Sequence, residues 1–361
     1  MKSTSFVIKN ILATSQLLLL LICSVSLSTT PVFAREIPKE EISKSSYDYN
    51  LILSGDHTFF TADIEGSSAI QGNVNQQGSF TYGGAASGAS NIIGKQSLHP
   101  DTPALVLGGD IIGDNLSSIV IEGNGLATKF EVDPENKVTV NEGSRIKLTV
   151  EEKDDIFSNI LSEANQRLDY WGNLADVPEK STIEFSQSNK SSRVLVANTS
   201  SADIKDLYLP DNTDDYDYII IKSNSPVVNF SNGSILYNGH VVDTGQPQSP
   251  EMYSLAKKIR WVFSNANTVN ITKYGIIGDI YANDATVNAN GGSINGQLIA
   301  NNLIQQGGFE MHNFPSVPVT ITKPLEPTDS TDSTESTDST DSTDSTDSTN
   351  STDSTDSTNS T

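Results

Sequence analysis

Short runs of apolar and β-branched residues alternate with Gly, Asn, Ser and Asp along most of the chain, from Tyr49 onward. Leu51–Leu53, Leu105–Leu107 and Ile119–Ile121 are three of these runs. Runs of this length between turn-forming residues are typical of short strands. The pattern therefore predicts a mainly β protein with few helices.

One segment has the periodicity of a helix, because its apolar residues form a single stripe. The stripe consists of Ile156, Phe157, Ile160, Leu161, Ala164, Leu168 and Trp171. It predicts a helix of about 18 residues over 154–171, roughly 27 Å long. Asp154 and Asp155 would lie at its N-terminus, where the helix dipole favours negative charge, and Gly172 would cap its C-terminus. The stripe is expected to pack against a sheet.

A second, shorter helix is predicted near residue 250. Ser249 suits the N-cap position, and Pro250 suits the first turn because that turn needs no backbone N–H from it. Met252, Leu255 and Ile259 would then face inward.

An internal repeat with an offset of 18 residues lies in the C-terminal third, where Gly278–Asp284 aligns with Gly296–Asn302. A short, fixed period of strands and Gly/Asn turns is typical of a β-solenoid. Each coil of a solenoid stacks on the previous one at the strand spacing of about 4.8 Å. The repeat favours a solenoid, and a β-sandwich is the alternative.

Composition divides the 361 residues into three zones. The chain carries 45 acidic and 22 basic side chains, a formal net charge of −23. Residues 328–361 contain only Ser, Thr, Asp, Glu and Asn, with nine carboxylates in Thr-Asp-Ser repeats, so this tail cannot bury a core and its like charges keep it extended. The body, 35–327, remains strongly acidic, and this charge disfavours a nucleic-acid partner.

The first 34 residues have the features of an export signal. Lys2 and Lys9 precede an apolar stretch, Leu17–Leu27, and cleavage is expected after Ala34. A retained anchor is the alternative, but the apolar stretch is short against the roughly 20 residues that cross a bilayer. A lipoprotein signal at Cys23 is a third reading, and the bulky preceding Ile argues against it.

Chemistry-bearing residues are few. Cys23 lies in the predicted signal and is the single cysteine, so the exported chain would lack disulfides, thiol nucleophiles and zinc-thiolate sites. The four histidines are His57, His99, His240 and His312. None has the spacing of a metal ligand pair, and His312 is expected to fix a loop by hydrogen bonds. Carboxylates are too numerous for sequence pairing to indicate a glycosidase.

The densest acidic turn is Asp211–Asp217, directly before the predicted strand Tyr218–Ile221. Oxygen-rich loops of this kind can hold calcium. Tyr216 and Lys222 stand where a calcium-binding EF-hand loop has Gly and Glu. The sequence therefore favours a solvated turn, with a calcium site as the alternative.

Several blocks of the body resemble, in order, those of a known family. They are Asn50–Asp56 (NLILSGD), Asp63–Gly66 with Ala69–Gly72, Leu105–Asp110 (LVLGGD), Ile259–Ala266 (IRWVFSNA), Gly275–Ala282 (GIIGDIYA), Gly296–Ala300 (GQLIA) and Met311–Pro315 (MHNFP). The family is choice-of-anchor A, an ice-binding-like adhesive domain of Gram-positive bacterial surface proteins. The resemblance covers about 49–320, and its closing block is the most specific. Phe314 replaces the usual Tyr and Gln71 interrupts a Gly pair, so these loops are expected to differ in detail.

The resemblance implies an irregular, right-handed β-solenoid with one long helix packed alongside, and an adhesive role at a cell surface. It supplies no catalytic residues. An ice-binding role would need a flat face of regularly spaced Thr. Thr268 and Thr286 are not expected to lie in register with the repeat, which weakens that role. A face of stacked coils suits an extended ligand, such as a matrix protein or glycan.

The chain is therefore expected to comprise a signal peptide (1–34), a linker (35–48), an adhesive domain (49–327) and a disordered stalk (328–361). It is expected to be an extracellular bacterial adhesin, associated with the cell surface or cell wall. It would bind an extracellular matrix protein or glycan. No cofactor, no catalytic or metal site and no membrane span in the exported chain are expected. A carbohydrate-active enzyme and a self-associating matrix or biofilm protein are the alternatives. No Leu-Pro-x-Thr-Gly sorting motif precedes Thr361, so wall attachment and release both stay open.

Overall fold

The computed structural model describes residues 41–84, 98–113, 117–129, 138–141, 143–247, 249–314 and 316–319. The predicted signal peptide and stalk lie outside these residues. The strands before the long helix are β1 (Leu51–Leu53), β2 (His57–Phe59), β3 (Ala62–Ile64), β4 (Ser68–Ile70), β5 (Val74–Gln76), β6 (Phe80–Tyr82), β7 (Leu105–Leu107), β8 (Ile111–Gly113), β9 (Ile119–Ile121), β10 (Gly125–Thr128), β11 (Val138–Val140) and β12 (Ser144–Lys147).

The strands after it are β13 (Ser186–Ser188), β14 (Ser191–Thr199), β15 (Asp203–Ile204), β16 (Leu207–Tyr208), β17 (Tyr218–Ser223), β18 (Val227–Ser231), β19 (Ile235–Tyr237), β20 (His240–Val241), β21 (Ile259–Val262), β22 (Thr268–Ile277), β23 (Asp279–Asn295), β24 (Leu298–Gln306) and β25 (Glu310–His312). The α-helices are α1 (Val150–Leu174) and α2 (Pro250–Lys258). Short 3-10 helices span Ser46–Asp48 and Thr213–Asp215. Among the described residues, no helix is both long and apolar enough to cross a membrane.

Most strands pair in parallel and form three columns, so each coil crosses the same three faces in turn. In spatial order the first face contains β14, β17, β21, β23, β24, β1, β4, β7, β10 and β12. The second contains β15, β18, β22, β23, β24, β2, β5 and β8. The third contains β22, β23, β25, β3, β6, β9 and β11. This arrangement confirms a mainly β, irregular solenoid, and the sandwich alternative is wrong.

The predicted 18-residue repeat forms two stacked rungs. Ile280–Ala282 pairs in parallel with Leu298–Ala300, one residue against one. At the corner before the first rung, Gly278 adopts φ +98, and a Cβ there would lie 2.4 Å from the carbonyl oxygen of Ile259. Glycine meets both demands because it has no side chain. The repeat prediction is confirmed in its register.

The coils do not stack in the order of the chain. The first strand, β1, lies between the late strand β24 and the early strand β4, because Leu51 pairs with Leu298 on one side and with Ser68 on the other. The first and last coils therefore meet in the middle of the solenoid. The backbone groups of both coils are paired on both sides, so neither presents an open sheet edge.

Helix α1 covers the first face, as predicted for an amphipathic helix beside a sheet. Its buried Ile156, Phe157 and Ile160 cluster with outward residues of that face, among them Ile52 and Val106. Burying apolar surface on both elements stabilises the contact by roughly 25 cal/mol per Å². The first face is consequently closed to a large ligand.

The predicted ends of α1 are wrong by a few residues. Thr149 is the N-cap, and it forms a capping box with Glu152, so the helix begins four residues before Asp154. Gly172 lies inside the helix, and Ala175 caps its C-terminus. The apolar stripe identified the helix, but the cap chemistry set its start. Helix α2 begins with Ser249 as N-cap and Pro250 in its first turn, which confirms that prediction.

A buried ion cluster joins α1 to the first face. The Asp279 carboxylate lies 3.5 Å from Arg260 Nε and 3.9 Å from Arg167 Nη2. It also accepts hydrogen bonds from the Ser316 hydroxyl and from the Gln297 backbone N–H. All three charged side chains are at least 95% buried. The cluster holds the helix, the sheet and the segment after β25 together.

The chain from residue 41 already packs on the fold, although 35–48 is predicted as a linker. Ile42 is 2% exposed and belongs to the cluster beneath α1. Arg167 donates a hydrogen bond of 3.0 Å to the hydroxyl of buried Ser46. The linker prediction followed from the many charged residues of this segment, and composition alone does not indicate that Ile42 and Ser46 are buried.

Candidate binding face

The second face is the broad polar surface of the solenoid. Four adjacent rungs, Val227–Ser231, Thr268–Thr272, Thr286–Asn290 and Asn302–Gln306, pair in register over five residues each. Side chains alternate along a strand, so the first, third and fifth residues of each rung point outward. Every one of these outward residues is partly or fully exposed, whereas the second and fourth are buried. We call this outward surface the ladder face.

Amide side chains bond to one another along the middle of the ladder face. Asn288 donates to Asn270, Asn270 donates to Asn229, and Asn229 donates to the Asp203 carboxylate, each at 2.9 Å. The strand register requires this contact, because Asp203, Asn229, Asn270 and Asn288 occupy successive paired positions. The side chains are thereby fixed in a regular row.

A second row runs beside the amides. Thr268 pairs directly with Thr286, and Thr286 pairs with Asn302. The amide of Asn302 donates to the Thr286 hydroxyl at 3.2 Å and accepts from the backbone N–H of Asp56 at 2.7 Å. The expectation that Thr268 and Thr286 are out of register is wrong, since their offset is that of the repeat. The threonine row nevertheless spans only two rungs.

The asparagine row was missed at the sequence level, although a signal exists. The rungs read VVNFS, TVNIT and TVNAN at 227–231, 268–272 and 286–290. Each has a valine, an asparagine and an apolar residue in the same order, and the last two are offset by 18 residues. Aligning only Gly278–Asp284 with Gly296–Asn302 overlooks this second match.

The third face carries His312, which is hydrogen-bonded as predicted. Its Nδ1 lies 2.6 Å from Asn295 Oδ1, and its Nε2 lies 3.3 Å from Glu310 Oε2. Burial alone would lower the pKa of His312, but the bond to Glu310 and the charges of Glu65, Glu310 and Asp63 outweigh it and raise the pKa. The same bond lowers the pKa of Glu310. The contact between His312 and Asn295 ties β25 to β23.

The other histidines are scattered. His57 is fully buried inside the solenoid, with Nδ1 2.7 Å from the Tyr82 hydroxyl and Nε2 3.1 Å from Gln305 Oε1. His99 and His240 are exposed, and each lies near a carboxylate, Asp48 at 3.8 Å and Glu251 at 3.0 Å. The structure does not bring the four histidines together.

The acidic turn Asp211–Asp217 contains the 3-10 helix Thr213–Asp215. Asp217 forms a two-pronged ion pair with Arg193 at 2.5 and 3.0 Å, and Lys258 lies 3.5 Å from Asp214. Within the described ranges, no three His, Cys, Asp or Glu side chains converge in a way that could hold a metal ion.

Two cavities are lined by none of the outward residues of the ladder face. One, of about 420 Å³, is lined by residues that include Asp243, Thr244 and Lys273. The other, of about 120 Å³, is lined by residues that include Asp48 and His99. Each contains a single carboxylate, whereas glycoside hydrolysis ordinarily requires two facing carboxyl groups.

Several solved structures that match the chain are ice-binding proteins. The protein of the Antarctic ascomycete Antarctomyces psychrotrophicus is 11% identical, with 77% of this chain and 98% of that chain covered and a TM-score of 0.35. The Arctic yeast protein LeIBP is 10% identical, covering 80% and 98%, with a TM-score of 0.33. The Shewanella frigidimarina ice-binding protein domain is 13% identical, covering 78% and 99%, with a TM-score of 0.32.

No curated protein matches the chain. A family model described as "Putative Ice-binding-like adhesive domain" matches residues 44–313, which is most of the chain and all three faces of the solenoid. The match begins in the segment that packs on α1 and ends directly after β25. The chain belongs to this family of ice-binding-like adhesive domains.

Proposed function

We propose that this protein is an exported bacterial surface adhesin that binds an extracellular polymer through the ladder face, without chemical turnover. The observation that carries the proposal is the ladder face itself. It is regular, and its outward side chains are at least partly exposed, whereas α1 covers the first face. The family's adhesive description supports the same role.

Export and display belong to the proposal. The pattern of 1–34 supports a cleaved signal, and the Thr-Asp-Ser repeats of 328–361 support a stalk whose like charges resist collapse. The adhesive body would then be held away from the cell wall. Both segments lie outside the described residues, so their roles rest on sequence.

Binding without turnover is favoured over a carbohydrate-active enzyme. The two cavities described above each present one carboxylate, and the Glu310 carboxylate of the third face is engaged by His312. The ladder face offers amides and hydroxyls, which can bind a polymer but supply no strong general acid or base near neutral pH.

Surface plasmon resonance of the full chain tests this function. The immobilised ligands are collagen, fibronectin, uncharged glycans and charged glycans. We expect saturable, reversible binding to at least one of them, with no release of reducing ends or unsaturated sugars. If the chain bound none of these ligands, the result would contradict the adhesin. Product release would favour the enzyme, and retention that depends only on self-association would favour a matrix protein.

A further inference from the structure

The ladder face lacks charge. Its outward residues on the four rungs are Val, Asn and Ser; Thr, Asn and Thr; Thr, Asn and Asn; and Asn, Ile and Gln. No Asp, Glu, Lys or Arg occurs among them, although 19% of the chain is charged and its net charge is −23. The four rungs of this highly acidic protein are thus electrically neutral, and the amide row meets its first carboxylate at Asp203, one rung beyond them.

The chemistry of this face differs from that of a protein-binding surface. Interfaces between proteins rely on Trp, Tyr and Arg anchors, and the four rungs present none of them outward. The apolar outward residues are Val227 and Ile304. The surface is otherwise made of amide and hydroxyl groups, which pair with groups of the same kind in a ligand.

The amide row retains hydrogen-bonding capacity. An asparagine amide has two N–H donors and an oxygen with two lone pairs, and each bond within the row uses one donor and one acceptor site. The row stops at Ile304, whose side chain cannot donate to the Asn288 oxygen. Donors and acceptors therefore remain for a ligand, and they recur at the rung spacing of about 4.8 Å.

We propose that the polymer bound by the ladder face is an uncharged glycan chain lying along the stacked rungs. This inference rests on the proposed function and names its ligand class. Hydroxyl groups of successive sugars would meet successive rungs. Phe60, 43% exposed and one residue beyond the Phe59–Gln305 pair, offers an aromatic ring at the edge of the face for the apolar side of a sugar. The acidic body repels polyanionic polymers.

The test measures affinity of the full chain for soluble neutral β-glucan and mannan, with hyaluronan and fibronectin as comparisons. We expect binding to a neutral glycan whose Kd changes less than about twofold between 50 and 500 mM NaCl, because salt screens only charge interactions. The double variant T272D/N290D should weaken it at least about tenfold, because bound glycan would desolvate unpaired carboxylates. These residues are exposed and pair in register.

Two control variants complete the design. T139D adds a carboxylate at an exposed position of the third face and should leave affinity unchanged. T272S/N290S keeps the ladder face neutral and should bind within about threefold of the parent. Melting temperatures within about 2 °C of the parent establish that each variant is folded.

The outcomes separate the two proposals. Salt-insensitive glycan binding that T272D/N290D alone weakens supports the inference. Binding to fibronectin or hyaluronan without any neutral glycan overturns the glycan inference but leaves the adhesin standing. If T272D/N290D binds the glycan as tightly as the parent does, the ladder face is not the binding site, and the inference is overturned. No binding to any of these probes overturns the glycan inference, and a further lack of binding to collagen overturns the adhesin as well.

Discussion

The substitution D279N is expected to lower the free energy of unfolding by about 3–5 kcal/mol, because it removes the charge that compensates two buried guanidinium groups. Arg260 on the first face and Arg167 on α1 would remain buried without the Asp279 carboxylate. Arg260 lies over the rings of Trp171 and Tyr218, at 5.3 and 5.4 Å, and these contacts compensate only part of the charge. Urea denaturation at neutral pH measures the loss.

A matched control is D154N. Asp154 is 63% exposed and forms a surface pair with Lys153 at 3.2 Å, so its loss should cost less than about 1 kcal/mol. If D279N were as stable as D154N, the buried cluster would not fasten the helix to the sheet. A large loss in both variants would show instead that the effect follows net charge.

Acidification is expected to destabilise the protein through His57. Burial lowers the pKa of His57 from 6.5 to about 3, and the bond to Gln305 only partly opposes this shift. The neutral ring is satisfied by the Tyr82 hydroxyl and the Gln305 oxygen. Between pH 6.5 and 3, His57 is protonated in the unfolded chain but neutral in the folded chain. The free energy of unfolding therefore falls as the pH falls, by about 1.4 kcal/mol per pH unit.

The variant H57Q isolates this contribution, since it removes the titrating ring. Between pH 6 and pH 4, the parent should lose about 2–3 kcal/mol more stability than H57Q. H99Q, altered at an exposed position, should follow the parent. Parallel pH profiles for parent and H57Q would show that His57 has the same pKa in the folded and the unfolded chain, which contradicts the prediction. His312 has the opposite effect on stability, because its pKa is raised in the folded chain. Its contribution to the free energy of unfolding is present below pH 6.5 and is lost as the pH rises above that value.

Local features of the fold could be predicted from local patterns. The apolar runs gave strands such as Leu105–Leu107, and Ser249 with Pro250 gave the start of α2. The offset between Gly278–Asp284 and Gly296–Asn302 gave the stacked rungs, because a solenoid repeats its contacts at a fixed period. In each case the residues that determine the structure are close in sequence.

The order of the coils could not be read in this way. The pairing of Leu51 with Leu298 joins segments almost 250 residues apart, and the sequence of neither strand indicates which strand it pairs with. Short apolar strands are interchangeable as neighbours, so stacking order depends on the whole fold. The early start of α1 had a local signal, the Thr149–Glu152 capping box, which the apolar stripe obscured.

The candidate binding face was predicted only as a face of stacked coils. Its asparagine row needed the alignment of Asn229, Asn270 and Asn288 on adjacent rungs, and only the last two share the 18-residue offset. The absence of charge on the face became visible once the outward side of each rung was known. Alternation determines that side, but the register between rungs determines which side chains adjoin.

The central claim is that the ladder face is the binding surface, and a site-directed block tests it most directly. Cys23 is the single cysteine of the sequence and lies in the predicted signal, so N290C and T139C each give one attachment point in a chain produced without residues 1–34. Both positions are exposed, one on the ladder face and one on the third face.

Each variant is coupled to a maleimide polyethylene glycol and compared with its uncoupled form, by surface plasmon resonance on the polymer that binds the parent most strongly. We predict that coupling at residue 290 weakens binding at least about tenfold, while coupling at residue 139 leaves it within about twofold. Unchanged binding after coupling at residue 290, or equal loss at both positions, would contradict the account.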